Sequence, residues 1–424
     1  MEELLDAKLA DIHARADSKA FILADAKDAD MAFGIAAPGR SPEHADGGFR
    51  SLHEWREIIR QNVQQGLLDI MLMSVSTNEI LTIRERVFDS SPVTPAVRAN
   101  DTTDIHVARG SSYPKEPSRP FRTALLDHAR CGQLGCDDSQ RHLGTNLGLY
   151  SITFNNDVER DVATLEAYKA FRIEAELKGF RHFLEVFDPN APTHPIPPKQ
   201  LGGFINDLIA RTLAGVASPG RPLFLKMVYH GPKFMEELVK YDRHLVPGIL
   251  GGSAGTTYDA FKLLAEAKKY GARAALFGRK INNAEHQLGF IQFLRWIADG
   301  EIGPEEAVKA YHGVLQGLNI RPHRTLEKDM EPTSGITGYG EARSTMTMPS
   351  PPGWREPEKP APAKPQPVVP AKWQVPPGVE QPPAPAPPSD GAYPRKPNGD
   401  PDFAKMTPAQ RLAYHKARLD KGIG

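Results

Sequence analysis

Cysteine is nearly absent, with two in 424 residues. Two thiols cannot build a disulfide-held scaffold or a four-thiolate zinc site. Cys131 and Cys136 lie five apart, a spacing that fits neither a CxxC redox pair nor a zinc knuckle. They are expected to be two reduced thiols of a cytoplasmic protein. Neither sign of charge is in excess, since Lys+Arg and Asp+Glu each number 52. That balance excludes the basic footprint of a nucleic-acid binder and the acidic excess of a solvating tail. No apolar run is long enough to span a bilayer. The first ten residues are acidic and amphipathic, and they lack the basic start and apolar run of a secretory signal. A soluble protein with no membrane or nucleic-acid partner is expected.

Proline is plentiful and unevenly placed. Of 39 prolines, 19 fall between Pro349 and Pro401. A run such as Glu356-Pro357-Glu358-Lys359-Pro360 supports neither a sheet ladder nor a helix interior, and it buries too little to offset the entropy of ordering. Residues 331–402 are therefore expected to be a disordered, Pro-rich linker, polyproline-leaning over 341–401. Residues 403–424 read as a short amphipathic helix, with Thr407 as N-cap, Pro408 at the first helical position and Gly422 past the end. Having no core of its own, this segment is a candidate docking element for a protein assembly or compartment. An unstructured solubilising extension is the alternative.

Residues 1–330 alternate strands and helices. Apolar, β-branched runs of strand length recur at 20–25, 67–74, 93–98, 147–154, 182–187, 222–229, 246–252 and 272–278. Amphipathic helical stretches stand between most of them, at 52–65, 121–132, 159–178, 201–214, 233–241 and 256–270, and 284–298 and 304–315 follow the last. Strands of this type separated by helices imply a parallel sheet, and eight such units imply a (β/α)8 TIM barrel. A doubly wound sheet is the second choice, but no glycine-rich dinucleotide turn follows the first strand. The polar segments 36–50 and 99–120 read as long loops at strand ends.

Lys226 is the most informative residue, set in Pro222-Leu223-Phe224-Leu225-Lys226-Met227-Val228-Tyr229. Parallel strands are covered on both faces, so this ammonium is either paired or strongly perturbed, and desolvation favours the neutral amine. A neutral amine in a dry site can condense with a ketone to a Schiff base, whose protonated form is an electron sink. Glu185, in Phe183-Leu184-Glu185-Val186-Phe187, belongs to the preceding strand. Adjacent strands are about 4.8 Å apart, so inward side chains at one height can meet. The pair could be a structural ion pair or a nucleophile with its acid/base. Asp25 ends the first strand, where it could cap the next element or join a site at the mouth, and Lys27 could join it there or simply face solvent. The last two strands end in Gly251-Gly252-Ser253-Ala254-Gly255 and Phe277-Gly278-Arg279. Glycine lets backbone N–H groups approach an anion, and barrel phosphate sites commonly form after strands seven and eight.

Taken in order, these residues resemble the class I, Schiff-base aldolases, the group that includes tagatose-bisphosphate aldolase, archaeal-type fructose-bisphosphate aldolase and deoxyribose-phosphate aldolase. Leu184-Glu185-Val186-Phe187-Asp188 is similar to the fifth strand of the tagatose-bisphosphate enzyme, whose glutamate is the acid/base. Leu225-Lys226-Met227 resembles the sixth strand that carries the imine-forming lysine. Ser253-Ala254-Gly255 and Gly278-Arg279 resemble its phosphate-binding turns, which implies that Gly252, Ser253, Gly278 and Arg279 hold the phosphate, and Leu23-Ala24-Asp25 resembles a first strand ending in an aspartate near the substrate. The resemblance spans roughly residues 18–320 and implies cleavage or formation of a C–C bond of a phosphorylated ketose, in a homo-oligomer, without metal or cofactor. No pair among the 14 histidines matches the zinc ligands of class II aldolases, and His182 and His230 read as supporting or surface groups. The group often has tyrosine or lysine at the end of strand four. Tyr150 would serve if it points inward, and Arg98, at the end of strand three, could supply a cation instead. A related lysine-dependent barrel that transfers an acyl group or builds a keto sugar is one alternative. A catalytically lapsed barrel acting as an adaptor through its tail is another.

Overall fold

A computed structural model describes residues 4–41, 48–251 and 255–333, together with 394–397, 402, 405–407 and 410. The chain divides into two units, Met1–Arg355 and Glu356–Gly424.

Eight parallel strands close the first unit into a barrel. They are β1 (Ile22–Lys27), β2 (Ile70–Met73), β3 (Thr94–Arg98), β4 (Leu147–Thr153), β5 (Arg181–Phe187), β6 (Leu225–Met227), β7 (Gly248–Leu250) and β8 (Ala274–Phe277). Each lies within or beside one of the eight apolar runs. The larger helices are α1 (Leu4–Ala14), α2 (Leu52–Gln65), α3 (Val158–Leu177), α4 (Pro198–Ala214), α5 (Pro232–Tyr241), α6 (Thr257–Lys269), α7 (Gln287–Asp299) and α8 (Pro304–Gly317). The eight-strand expectation holds.

Strand alternation sorts the side chains into two layers. Ile22, Ala24, Ile70, Leu72, Ala96, Leu147, Leu149, Phe183, Phe224, Ala274 and Leu276 fill one cluster inside the cylinder, where the Phe183 and Phe224 rings stack 4.5 Å apart. Their strand neighbours, such as Leu23, Met71, Val97, Leu184, Leu225 and Ile249, pack outward under the helices. The N-terminal end of the cylinder is plugged by α1, whose Leu5, Leu9 and Ile12 join the interior cluster. Lys8 on α1 reaches the buried Asp69 at 2.6 Å, and Arg295 on α7 holds the other oxygen at 3.1 Å.

Between β3 and β4 the chain departs from expectation. Pro120–Phe121 pairs with Asp101–Thr102 as a small antiparallel ribbon, so the helix expected over 121–132 is confined to Leu126–Cys131. Gly132 ends that helix in the left-handed region at φ 80°, and Gly135 at φ 70° turns the chain back. The reversal brings Cys131 and Cys136 together. Expected as separate thiols, they are joined in a disulfide with Cα atoms 6.0 Å apart.

Among the described residues no helix is long and apolar enough to cross a membrane. In the second unit, Gln410 accepts from Thr407 N at 2.9 Å and donates its own N–H to Thr407 Oγ1 at 3.3 Å. That reciprocal pair is a capping box, as expected of a helix opening at Thr407. Almost all of the Pro-rich 341–401 segment, and residues 411–424, lie outside the described residues.

Candidate active site

The C-terminal ends of five strands bring four charged side chains and a serine to one point. β5 and β6 pair so that Glu185 and Lys226 stand in register. Both follow an inward phenylalanine by two residues, so alternation carries them inward too. Lys226 Nζ lies 2.6 Å from Glu185 Oε1, and the two side chains are 7% and 1% exposed. The second oxygen of Glu185 accepts from Ser151 Oγ at 2.6 Å; Ser151 stands beside Glu185 across the β4–β5 pair. Ser151 in turn accepts from Arg98 Nη1 at 2.9 Å, and Arg98 Nη2 lies 3.4 Å from Glu185 Oε2. Asn100 fixes the backbone of β4 here, donating to Ser151 O at 2.8 Å and accepting from Ser151 N at 2.7 Å.

The chain of contacts continues to β1. Arg98 Nε donates to Asp28 Oδ2 at 2.5 Å. Burial opposes the guanidinium charge, but Asp28 and Glu185 outweigh it and hold Arg98 above its ordinary pKa. Asp28, Arg98, Glu185 and Lys226 line a pocket that extends to Gly251, Gly278 and Arg279, so the amine and the strand-eight turn share one space. Glycine is required there by packing. A Cβ on Gly278 would meet Ala26 O at 2.8 Å, and one on Gly251 would meet the Phe277 ring at 2.1 Å. Above the pocket two long loops meet, with Val107 N donating to Ala32 O at 2.8 Å. Ile105 packs on Phe187, Val228 and Leu250 and closes the β5–β7 side.

No family model matches the chain, and no curated protein does. Among solved structures, a fructose-bisphosphate aldolase from Slackia heliotrinireducens DSM 20476 aligns at TM-score 0.50 and 14% identity, over 73% of this chain and 91% of that one. An archaeal fructose-1,6-bisphosphate aldolase, with its catalytic lysine covalently bound to the carbinolamine intermediate, aligns at TM-score 0.49 and 16% identity, over 69% and 100%. The chain has an aldolase-like barrel fold.

In this aldolase-like barrel three of the candidate residues stand away from the mouth. Asp25 and Lys27 alternate outward from β1 and are buried between the barrel wall and the helices. Asp25 Oδ2 meets Lys27 Nζ at 3.0 Å and Asn62 Nδ2 of α2 at 2.8 Å, and Lys27 also donates to Gln287 of α7 at 3.0 Å. Desolvation pushes the Asp25 pKa up and that of Lys27 down. Tyr150 also points outward, its ring 4.5 Å from Phe171 and 5.0 Å from Tyr168 of α3. Burial raises its pKa.

The inward places on those strands belong to Asp28 and Ser151, which the sequence reading missed. Parity was the available signal: Ser151 follows the apolar Leu147 and Leu149 by even steps, as Asp28 follows Ile22, Ala24 and Ala26. Lys226, Glu185 and Arg98 converge at the mouth, and Gly278 and Arg279 border the same pocket. Gly252 and Ser253 lie outside the described residues. His182 supports the wall from outside, its Nε2 2.8 Å from Tyr168 OH, and His230 sits 2.9 Å from Asp188. Among the described residues no three His, Cys, Asp or Glu side chains are grouped to hold a metal ion.

Proposed function

We propose that this chain is a class I aldolase that cleaves or forms a C–C bond of a phosphorylated ketose through a Schiff base on Lys226. The observation that carries the reading is the buried amine 2.6 Å from a carboxylate, at the open end of a barrel pocket. Lys226 passes a proton to Glu185 and attacks the ketone carbon. Glu185 returns that proton to the departing hydroxyl, and the carbinolamine loses water to leave a protonated imine. Glu185 then takes the proton from the hydroxyl whose carbon is to depart. The C–C bond breaks, its electron pair enters the iminium, and an aldehyde leaves. The enamine is reprotonated at carbon, and water releases the product and restores the amine.

Ser151 and Arg98 hold Glu185 in place, with one carboxylate oxygen toward the lysine. Asp28 takes the part expected of Asp25, as a carboxylate of β1 facing the substrate. Arg279 and the backbone at Gly278 receive the phosphate, together with Gly252 and Ser253.

The test is borohydride reduction with dihydroxyacetone phosphate or a ketose bisphosphate. A stable adduct is expected on the peptide that contains Lys226, and none in Lys226→Met. An adduct on another lysine, or none with any of a panel of keto compounds, removes the imine mechanism.

A further inference from the structure

A second concave site lies at the opposite, N-terminal end of the barrel. Lys19, just before β1, Arg273, just before β8, and Lys268 and Lys269, at the end of α6, line one cavity of about 430 Å³. The single carboxylate among its lining residues is that of Asp17, which is exposed. None of the four cations forms an ion pair among the described residues. Lys268 uses one donor on Ala298 O at 2.5 Å, and Arg273 uses one on the neighbouring Ala272 O at 3.0 Å.

A helix C-terminus favours cations, which accounts for Lys268 and Lys269 at the end of α6. It does not account for Lys19 or Arg273, which belong to loops. Arg273 has five N–H donors, is half-buried, and has no carboxylate to compensate it. Burial depresses its pKa. Burial depresses Lys268 too; Asp299 opposes this, and the charges of Arg273, Arg295 and Lys19 add to it. Like charges gathered in a recess raise the local potential and draw in counter-ions. Gly303–Pro304, where α8 begins without a side-chain cap, also lines the cavity. Of the acidic residues in the first turn of α8, Glu305 accepts from Tyr258 OH at 2.8 Å, and Glu306 is exposed.

We propose that this cavity binds a small phosphate-bearing anion, at a site separate from the substrate pocket and independent of the imine chemistry. The anion would bridge the starts of β1, β8 and α8 and the end of α6, and so tie the foot of the barrel together.

Inorganic pyrophosphate is the probe, titrated calorimetrically into the full chain carrying Arg279→Ala, which disarms the mouth. Saturable one-to-one binding is expected. Adding Lys19→Ala and Lys269→Ala, both exposed positions, should weaken it about tenfold, while the melting temperature without ligand stays that of Arg279→Ala. Loss of all saturable binding in Arg279→Ala would overturn the proposal by assigning the anion to the mouth. Equal affinity with and without the two lysines would overturn it as well.

Discussion

Glu185 is gripped on one oxygen and free to exchange a proton with the amine on the other. Ser151 Oγ donates to Oε2 at 2.6 Å, and Lys226 meets Oε1 at 2.6 Å. Ser151→Ala removes the grip and leaves Arg98 Nη1 without its acceptor, so cleavage should slow by about tenfold or more. Adduct formation on Lys226 should survive. Tyr150→Phe is the control on the same strand. Its ring packs on α3, so turnover should change less than twofold, about the noise of such assays. Steady-state rates of the two variants with a ketose bisphosphate make the comparison, and a dead Tyr150→Phe would return that tyrosine to the site.

His182 is a second residue with a measurable consequence. Burial pushes its pKa down from 6.5 to about 3. Below pH 6.5 the unfolded chain takes up a proton that the folded chain refuses. Stability is therefore lost as pH falls from 6.5 toward 3, by up to about 1.4 kcal/mol per pH unit from this group. Urea unfolding at pH 7.5 and pH 4.5 should show a smaller acid loss in His182→Gln than in the parent.

At the scale of elements, the strands were legible and their facing was not. Runs such as 147–154 and 182–187 announce themselves by apolar content, but a barrel strand is covered on both sides. Tyr150, Ser151 and Ile152 are all buried, so composition does not say which of them faces the cylinder. Lys226 and Glu185 were expected to meet, and they do, because a charge amid apolar neighbours is costly on either face and has to be paired. Asp25 and Lys27 were expected at the mouth, but they form a buried pair on the outer side of the wall. Counting inward steps from Ile22 would have led to Asp28. The ribbon of Asp101–Thr102 and Pro120–Phe121 had no signal, since its partners lie far apart in sequence and each contributes two residues.

The α1 plug is an element whose effect can be measured. Leu5 is fully buried against the interior strands, so Leu5→Ala should lower the unfolding free energy by about 2–4 kcal/mol. Imine formation should survive in the folded fraction, because the mouth lies at the other end. Denaturant unfolding and borohydride trapping on the same sample separate the two effects.

For the whole molecule, the fold and the function stand on different supports. A likeness at 14% identity carries an architecture, and one architecture hosts many chemistries. The proposed function rests on five side chains at the ends of five strands, Asp28, Arg98, Ser151, Glu185 and Lys226, and all of them precede Glu356, where the second unit begins. The tail has a different composition. The Thr407–Gln410 capping pair lies beyond 19 prolines between Pro349 and Pro401, and we propose that the Pro-rich stretch is a spacer for a docking segment. Deleting 356–424 cuts between the two units, so the Lys226 adduct and the melting temperature should match those of the full chain. In lysate of the source cells the full chain should sediment with a larger assembly and the truncated chain should not. Identical sedimentation of the two would leave the tail without a docking role, and the imine chemistry would stand untouched by that result.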